Sequence, residues 1–262
     1  MKASDGAKPK NTVNQSIKRA FQILDFLNQS STPVSAIEIS NALSLNRATT
    51  YGLLETLETL GFIEREENGA KFQLTTQLYE MGIMYPKKLR VVQISENTMR
   101  DMAKEFHVSA NLGILKHNYE VLSIASVAGD ITQSFLLQSG RHLPIHATGM
   151  GKLFLSDMED DLAYRILTQS KLVPLTSHTI TDPQKLIEEL HKIRLQGYAT
   201  DEREYLDDSG CLSFPIRDSS RRIIAALSLS GSYGDISEKK ERIVSKMVSK
   251  CYYLSTLLGY TM

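Results

Sequence analysis

Three features of this 262-residue sequence predict an α+β protein in two parts. The first 75 residues carry apolar side chains at helical spacing and end in a hairpin signal. From Val108 onward, short strand patterns alternate with helical ones, and residues suited to capping stand at the expected helix ends. The expected boundaries are residues 13–75 for the first domain, 76–90 for a connecting helix and 91–262 for the second domain. A composition of 42% hydrophobic and 23% charged residues supports a sizeable core and excludes disordered, collagenous and coiled-coil classes.

In the first part, Ile17, Ala20, Phe21, Leu24 and Leu27 predict an amphipathic helix from about Asn14 to Asn28, ended by Ser30-Ser31-Thr32-Pro33. Ser35 and Glu38 form a capping box that opens a second helix to about Leu43. Leu45-Asn46 makes a tight connection into a third helix with an apolar face of Thr50, Leu53, Leu54, Leu57 and Leu60. Gly61 stands where a helix ends in the left-handed conformation. Two strands, Phe62 to Arg65 and Ala70 to Leu74, flank Asn68-Gly69, a pair suited to a tight turn. Helix, helix, short turn, helix and hairpin make a winged helix-turn-helix, whose third helix enters the DNA major groove.

Charge supports that assignment once it is resolved along the chain. The 30 basic and 30 acidic residues cancel overall. Up to Thr50, however, Lys2, Lys8, Lys10, Lys18, Arg19 and Arg47 face only Asp5, Asp25 and Glu38. From Tyr51 to Glu67 the balance reverses, with Glu55, Glu58, Glu64, Glu66 and Glu67 against Arg65. The outward positions at the start of the third helix are Asn46, Arg47, Ala48, Thr49, Tyr51 and Gly52. Arg47 suits guanine or phosphate, Thr49 either, and Tyr51 a phosphate or a thymine methyl. Gly52 costs about 1 kcal/mol of helix propensity against Ala, which close approach to the DNA backbone would justify. Lys18, Arg19 and Lys71 are candidate phosphate contacts.

Further on, Thr75 or Thr76 caps a short helix through Leu78, Met81 and Tyr85, expected to stop at Pro86. A longer helix carries Val92, Met99, Met102, Ala103 and Phe106. Strands are expected at Ser109 to Lys116, Val121 to Val127, Phe135 to Gln138, Cys211 to Ile216 and Ile223 to Ser230. Helices are expected from about Gly151 through Leu155, from Asp182-Pro183 to Gly197, and from about Glu238 to Leu258. The last has an apolar face of Val244, Met247, Val248, Cys251 and Leu258. Antiparallel strands interleaved with helices describe a PAS- or GAF-like domain with a ligand pocket on one sheet face.

These stretches resemble the IclR family of bacterial transcription regulators from about Val13 to Leu258. The resemblance is carried by Ser16-Ile17-Lys18-Arg19-Ala20-Phe21-Gln22-Ile23-Leu24, by the helix-turn-helix through Leu60-Gly61-Phe62, and by the run from Gly140 to Lys152. The fourth stretch is Gly197 to Glu204, with Cys211 beyond it. It implies an effector-binding second domain that takes a small organic acid or aromatic compound, with a pocket including Gly149, Met150, Asp201, Cys211, Ser228 and Ser230. Physical chemistry is compatible: the N–H groups at Thr148-Gly149-Met150-Gly151 begin a helix and suit a carboxylate. Ser228 and Ser230 alternate along a strand and share a face. The chain departs from the family pattern at Tyr51-Gly52 in the recognition helix and at Asp207-Asp208 before Cys211.

A competing reading makes Cys211 a nucleophile with His142 or His146 as base, fused to a DNA-binding module, or a metal ligand with Asp201. Cys211 opens an apolar strand, which favours a pocket-wall residue, and neither a phosphate-binding loop nor a metalloprotease motif is present. The expected protein is therefore a non-enzymatic, ligand-responsive regulator without a cofactor. Its partners are double-stranded operator DNA, a small effector and further copies of itself in a dimer or tetramer; both repression and activation remain open. No apolar run approaches the roughly 20 residues of a membrane span, Met1 to Thr12 lacks a leader's apolar stretch, and the two cysteines suit a reducing cytoplasm.

Overall fold

The computed structural model describes residues 13–66, 69–129 and 139–261. The chain divides into two compact units, Met1–Tyr85 and Pro86–Met262.

In the first unit, α1 (Gln15–Gln29) begins at Asn14, whose side chain accepts from the N–H groups of Ser16 and Ile17. A two-residue strand β1 (Val34–Ser35) precedes α2 (Ala36–Ala42). The capping box forms as expected: Glu38 N–H donates to Ser35 Oγ, and Ser35 N–H donates to the Glu38 carboxylate at 2.8 Å. Helix α3 (Arg47–Thr59) is followed by Gly61 at φ +78°, then by β2 (Ile63–Arg65) and β3 (Lys71–Leu74). The order β1-β3-β2 is antiparallel throughout, so β1, absent from the sequence pattern, completes a three-stranded wing. The core is formed by Ile23, Leu24, Leu27, Ile39, Leu54, Leu57, Ile63 and Phe72.

Three apolar expectations are corrected here. Ile17 and Phe21 are 59% and 61% exposed, and Leu60 is 60% exposed. In α1 it is Ile23 that occupies the core, because the buried stripe is rotated toward Ile23-Leu24-Leu27. Pro86 does not end the next helix: α4 runs Gln77–Lys88 with Pro86 inside it. Only two residues follow the proline, so its missing N–H withdraws one bond from a turn that is about to stop.

In the second unit, α5 (Arg90–Phe106) leads to β4 (Ser109–Leu115) and β5 (Val121–Val127). After β6 (His142–Leu143) come α6 (Gly149–Ser156), α7 (Asp160–Gln169) and α8 (Pro183–Gln196). Asp182 caps α8, and Gly197 closes it at φ +80°. Strands β7 (Ala199–Glu202), β8 (Ser209–Arg217) and β9 (Ile223–Ser232) precede α9 (Tyr233–Thr256). The strand expected at Phe135 to Gln138 lies outside the described residues. The sequence pattern lacked β6, β7 and α7. Helix α9 starts five residues early because Ser232 caps it, and its Val248 is 47% exposed.

The strands form one antiparallel sheet in the order β6-β5-β4-β9-β8-β7. Leu112, Leu212, Phe214, Leu227 and Leu229 point to one face and pack with α5 and α9 side chains such as Met99, Phe106, Ile243 and Met247. The opposite face meets a second core built from α6, α7 and α8, including Leu153, Phe154, Leu167 and Leu190. Between those helices and the sheet edge, that second face turns polar.

Candidate functional site

Register places the polar residues of the second sheet face in rows. Ser109 pairs with Ser230, Ser230 with Cys211, and Cys211 with Asp201, giving one row across four strands. The next row is Ser126, Asn111, Ser228 and Ser213. Paired residues of an antiparallel sheet share a face, and the first row together with Asn111 and Ser228 of the second lines the floor of one cavity. Met150 and Leu143 stand over it from α6 and β6, and Tyr205 and Leu206 from the β7–β8 loop.

The floor is partly cross-linked. Asn111 donates to Ser230 Oγ at 3.0 Å and accepts from Ser126 Oγ at 2.9 Å. The hydroxyls of Ser109 and Ser123, 1% and 4% exposed, have no hydrogen-bond partner among the described residues. Unpaired buried polar groups of this kind call for an explanation.

Six of the seven sequence-predicted pocket residues meet here: Thr148, Met150, Asp201, Cys211, Ser228 and Ser230. Gly149 is corrected, because it does not line the cavity but packs on its wall. A Cβ there would sit 2.7 Å from Ser213 Oγ and 3.4 Å from Cys211 Sγ, so glycine is what lets α6 approach β8. Thr148 caps α6 by accepting from Gly151 N–H at 3.2 Å while donating to Pro144 O. The N–H groups of Gly149 and Met150 have no intrahelical acceptor in a first turn, and of these two residues only Met150 lines the cavity.

Asp201 organises the loop above it, accepting from Glu204 N–H at 2.8 Å and Tyr205 N–H at 3.3 Å. Burial pushes its carboxyl up to about 7, against those hydrogen bonds, and the Glu204 charge adds to the rise. Glu204 is itself ion-paired with Lys152 of α6, and the lysine is fully buried. This pair ties the helix on one side of the cavity to the loop on the other. Arg141, from the β6 side, reaches over the Tyr205 ring with its guanidinium 5.9 Å from the ring centre. Sequence reasoning assigned no role to Arg141, Ser109, Asn111, Ser123 or the Lys152–Glu204 pair. The alternation Ser109, Asn111 within an apolar strand was the available signal.

Cys211, His142 and His146 each have a defined environment in this geometry. Burial and, after it, the Asp201 charge push the Cys211 thiol up to about 12, so it stays protonated at neutral pH. His146 bonds to Val173 O at 3.0 Å and His142 to the Glu120 carboxylate at 2.9 Å. No cluster of three or more His, Cys, Asp or Glu residues suited to a metal occurs among the described residues. Cys251 sits in the core against α5, with its thiol raised by burial alone.

In the first unit, Arg47, Tyr51 and Gly52 are exposed along the start of α3, with Thr49 half-buried beside them. Nothing lies within 4 Å of a Cβ built on Gly52. Lys18 is exposed on α1, Arg19 half-buried, and Lys71 exposed on the wing. Asn46, exposed at the helix start, caps α3: its side-chain oxygen accepts from Ala48 N–H at 2.9 Å. Arg65 is engaged by Glu58 at 3.0 Å and lies over the Phe72 ring, whereas no carboxylate is within ion-pair distance of Lys18, Arg19 or Arg47 among the described residues.

A winged helix-turn-helix joined to an α+β unit with a polar, roofed cavity defines a DNA-binding regulator that answers to a small molecule. Residues 16–67 match the IclR helix-turn-helix domain, and residues 83–253 match the family described as bacterial transcriptional regulator IclR C-terminal. The chain belongs to the IclR family of ligand-responsive bacterial transcription regulators. It is 30% identical over 216 residues to the HTH-type transcriptional regulator XynR of Escherichia coli K12, covering 82% of this chain and 85% of that protein. The crystal structure of the Thermotoga maritima IclR superposes with a TM-score of 0.74 at 28% identity, over 94% of this chain and 99% of that one. An IclR homologue from Microbacterium hydrocarbonoxydans, solved with 4-hydroxybenzoate, shares the fold with a TM-score of 0.77 at 23% identity, over 93% and 100% of the two chains.

Proposed function

We propose that the cavity binds a small carboxylate effector and that its occupancy alters operator binding by the winged unit. The observation that carries this reading is the convergence of Thr148, Met150, Asp201, Cys211, Ser228 and Ser230 around one roofed space. The effector carboxylate lies at the start of α6, at Met150 N–H, where an orphan donor and the helix dipole favour an anion. Arg141 at the mouth adds a cation, and Asp201 donates or accepts a hydrogen bond from the floor. The 4-hydroxybenzoate complex of the Microbacterium hydrocarbonoxydans homologue supports an acid as ligand class.

On DNA, Arg47, Thr49 and Tyr51 contact base edges or backbone in the major groove, Gly52 lets the helix approach closely, and Lys18, Arg19 and Lys71 meet phosphates. Asn46 supports the helix start. The exposed Ile17 and Phe21 of α1 and Tyr79, Met81, Ile83 and Tyr85 of α4 support a homo-oligomer in which copies cover these faces. The protein acts in the cytoplasm without a cofactor and without catalysis; no helix among the described residues is long and apolar enough to cross a membrane. A thermal-shift screen of small carboxylates and aromatic acids on the full chain tests the reading. A stabilising acid is expected, and its affinity by calorimetry falls in Asp201→Ala while operator binding persists. If every acid leaves the melting temperature unchanged, the effector assignment fails; turnover of such an acid that is lost in Cys211→Ser would instead establish the catalytic reading.

A further inference from the structure

The cavity extends beyond the residues assigned to the carboxylate. Ser109 lies at the far end of the first row, two strands from Cys211, a backbone distance of about 10 Å at ordinary strand spacing. Ser123 lies on β5, one strand further toward the sheet edge than β4, and its backbone pairs with the Gly140–Arg141 segment at the mouth: Ser123 N–H donates to Arg141 O at 2.9 Å, and Gly140 N–H donates to Ser123 O at 2.7 Å. Both serine hydroxyls are more than nine-tenths buried, both line the cavity, and neither meets a protein partner among the described residues. Their neighbours on the floor behave differently: Asn111, Ser126 and Ser230 are linked to one another. The roof over this region is Leu143 and Met150, which offer no hydrogen bond of their own beyond a weak sulfur acceptor.

A hydroxyl left unpaired in a protein interior is unfavourable unless something else completes it. Serine both donates and accepts, so the group that satisfies two of them is one that also does both. We infer that Ser109 and Ser123 form a hydroxyl-recognition subsite, and that the effector is a hydroxy carboxylate with its acid group at the start of α6 and a hydroxyl at the opposite end of the cavity. The inference rests on the cavity being the effector site. A carboxylate lacking the distal hydroxyl leaves both serines buried and unpaired, and a site built to bond a hydroxyl discriminates strongly against the analogue without it. The apolar roof accommodates the carbon skeleton between the two polar ends.

The test is calorimetric titration of the full chain with two matched pairs, 4-hydroxybenzoate against benzoate and D-gluconate against hexanoate. In at least one pair the hydroxylated acid binds about 10-fold more tightly or better; Ser109→Ala and Ser123→Ala each reduce that preference by roughly 3- to 10-fold while the plain acid's affinity stays within about 2-fold. Equal affinities within both pairs, or an undiminished preference in the double variant, overturn the subsite and leave the carboxylate reading standing. Failure of all four acids to bind overturns the effector reading and the subsite together.

Discussion

Asp201 shows how one side chain serves two ends. Its acceptor oxygen shapes the loop through Glu204 and Tyr205, and burial keeps its carboxyl protonated to about pH 7. The folded value lies above the ordinary carboxylate value near 4, so the stability associated with protonation is present in full below about pH 4 and is lost as pH rises through about 7. The ligand-free protein is therefore expected to melt at a higher temperature at pH 6 than at pH 8 as far as this group is concerned, and Asp201→Asn, compared with wild type by calorimetry across that range, should remove the difference. Effector-anion affinity should follow the same sign, rising as pH falls from 8 to 6, because a neutral Asp201 no longer repels the anion. Lys152 presents a different case. Replacing it by Met leaves the Glu204 carboxylate buried without its cation, and such a loss costs about 3–5 kcal/mol; a denaturant midpoint unchanged from wild type would contradict the role assigned to the pair.

Helix α3 separates stability from recognition. Space around Gly52 is open, so Gly52→Ala should stabilise the winged unit by about 1 kcal/mol through helix propensity. If DNA backbone occupies that space, the same variant binds operator more weakly, and gain in melting temperature with loss in gel-shift affinity is the expected pair of results. Arg47→Ala should weaken operator binding by about 1–3 kcal/mol with little change in stability, because the guanidinium is exposed and no carboxylate is within ion-pair distance among the described residues. Helix α2 depends on its capping box, and Ser35→Ala should cost about 1 kcal/mol. These element starts were legible in the sequence because caps and left-handed glycines act over three or four residues. The rotation of α1 was not, since Ile17, Phe21 and Leu24 satisfy helical spacing as well as Ile23, Leu24 and Leu27 do. Which stripe is buried depends on the position of α3 and the wing.

For the assembled protein, regulation needs the effector to change operator affinity. A coupling of about 1–3 kcal/mol is sufficient and must be reciprocal, so operator DNA should shift effector affinity by the same factor in calorimetry. The net charge of zero gives the molecule little non-specific attraction to DNA. In the proposed homo-oligomer, operator affinity is expected to come from pairing winged units over two half-sites. Replacing exposed Ile17 and Phe21 by Glu is expected to lower the oligomeric state in sedimentation and to weaken operator binding more than either unit's stability.

The sequence was sufficient for the α+β class, the winged helix-turn-helix and the capping of α2 and α8, because those features repeat at fixed local spacing or stand in motifs of a few residues; the family resemblance, together with the helix start at Thr148, named six residues that the structure brings to one cavity. It could not supply the rows of the cavity floor. Ser109 stands 121 residues from Ser230 and pairs with it, by a strand order of β4-β9-β8-β7 that no local pattern encodes. The same long-range register leaves two serine hydroxyls without a hydrogen-bond partner among the described residues, pairs Lys152 with Glu204, and raises the Asp201 carboxyl by burial. Desolvation and cross-strand neighbours are properties of the packed sheet, and they turn a pattern of small polar residues into the lining of one cavity.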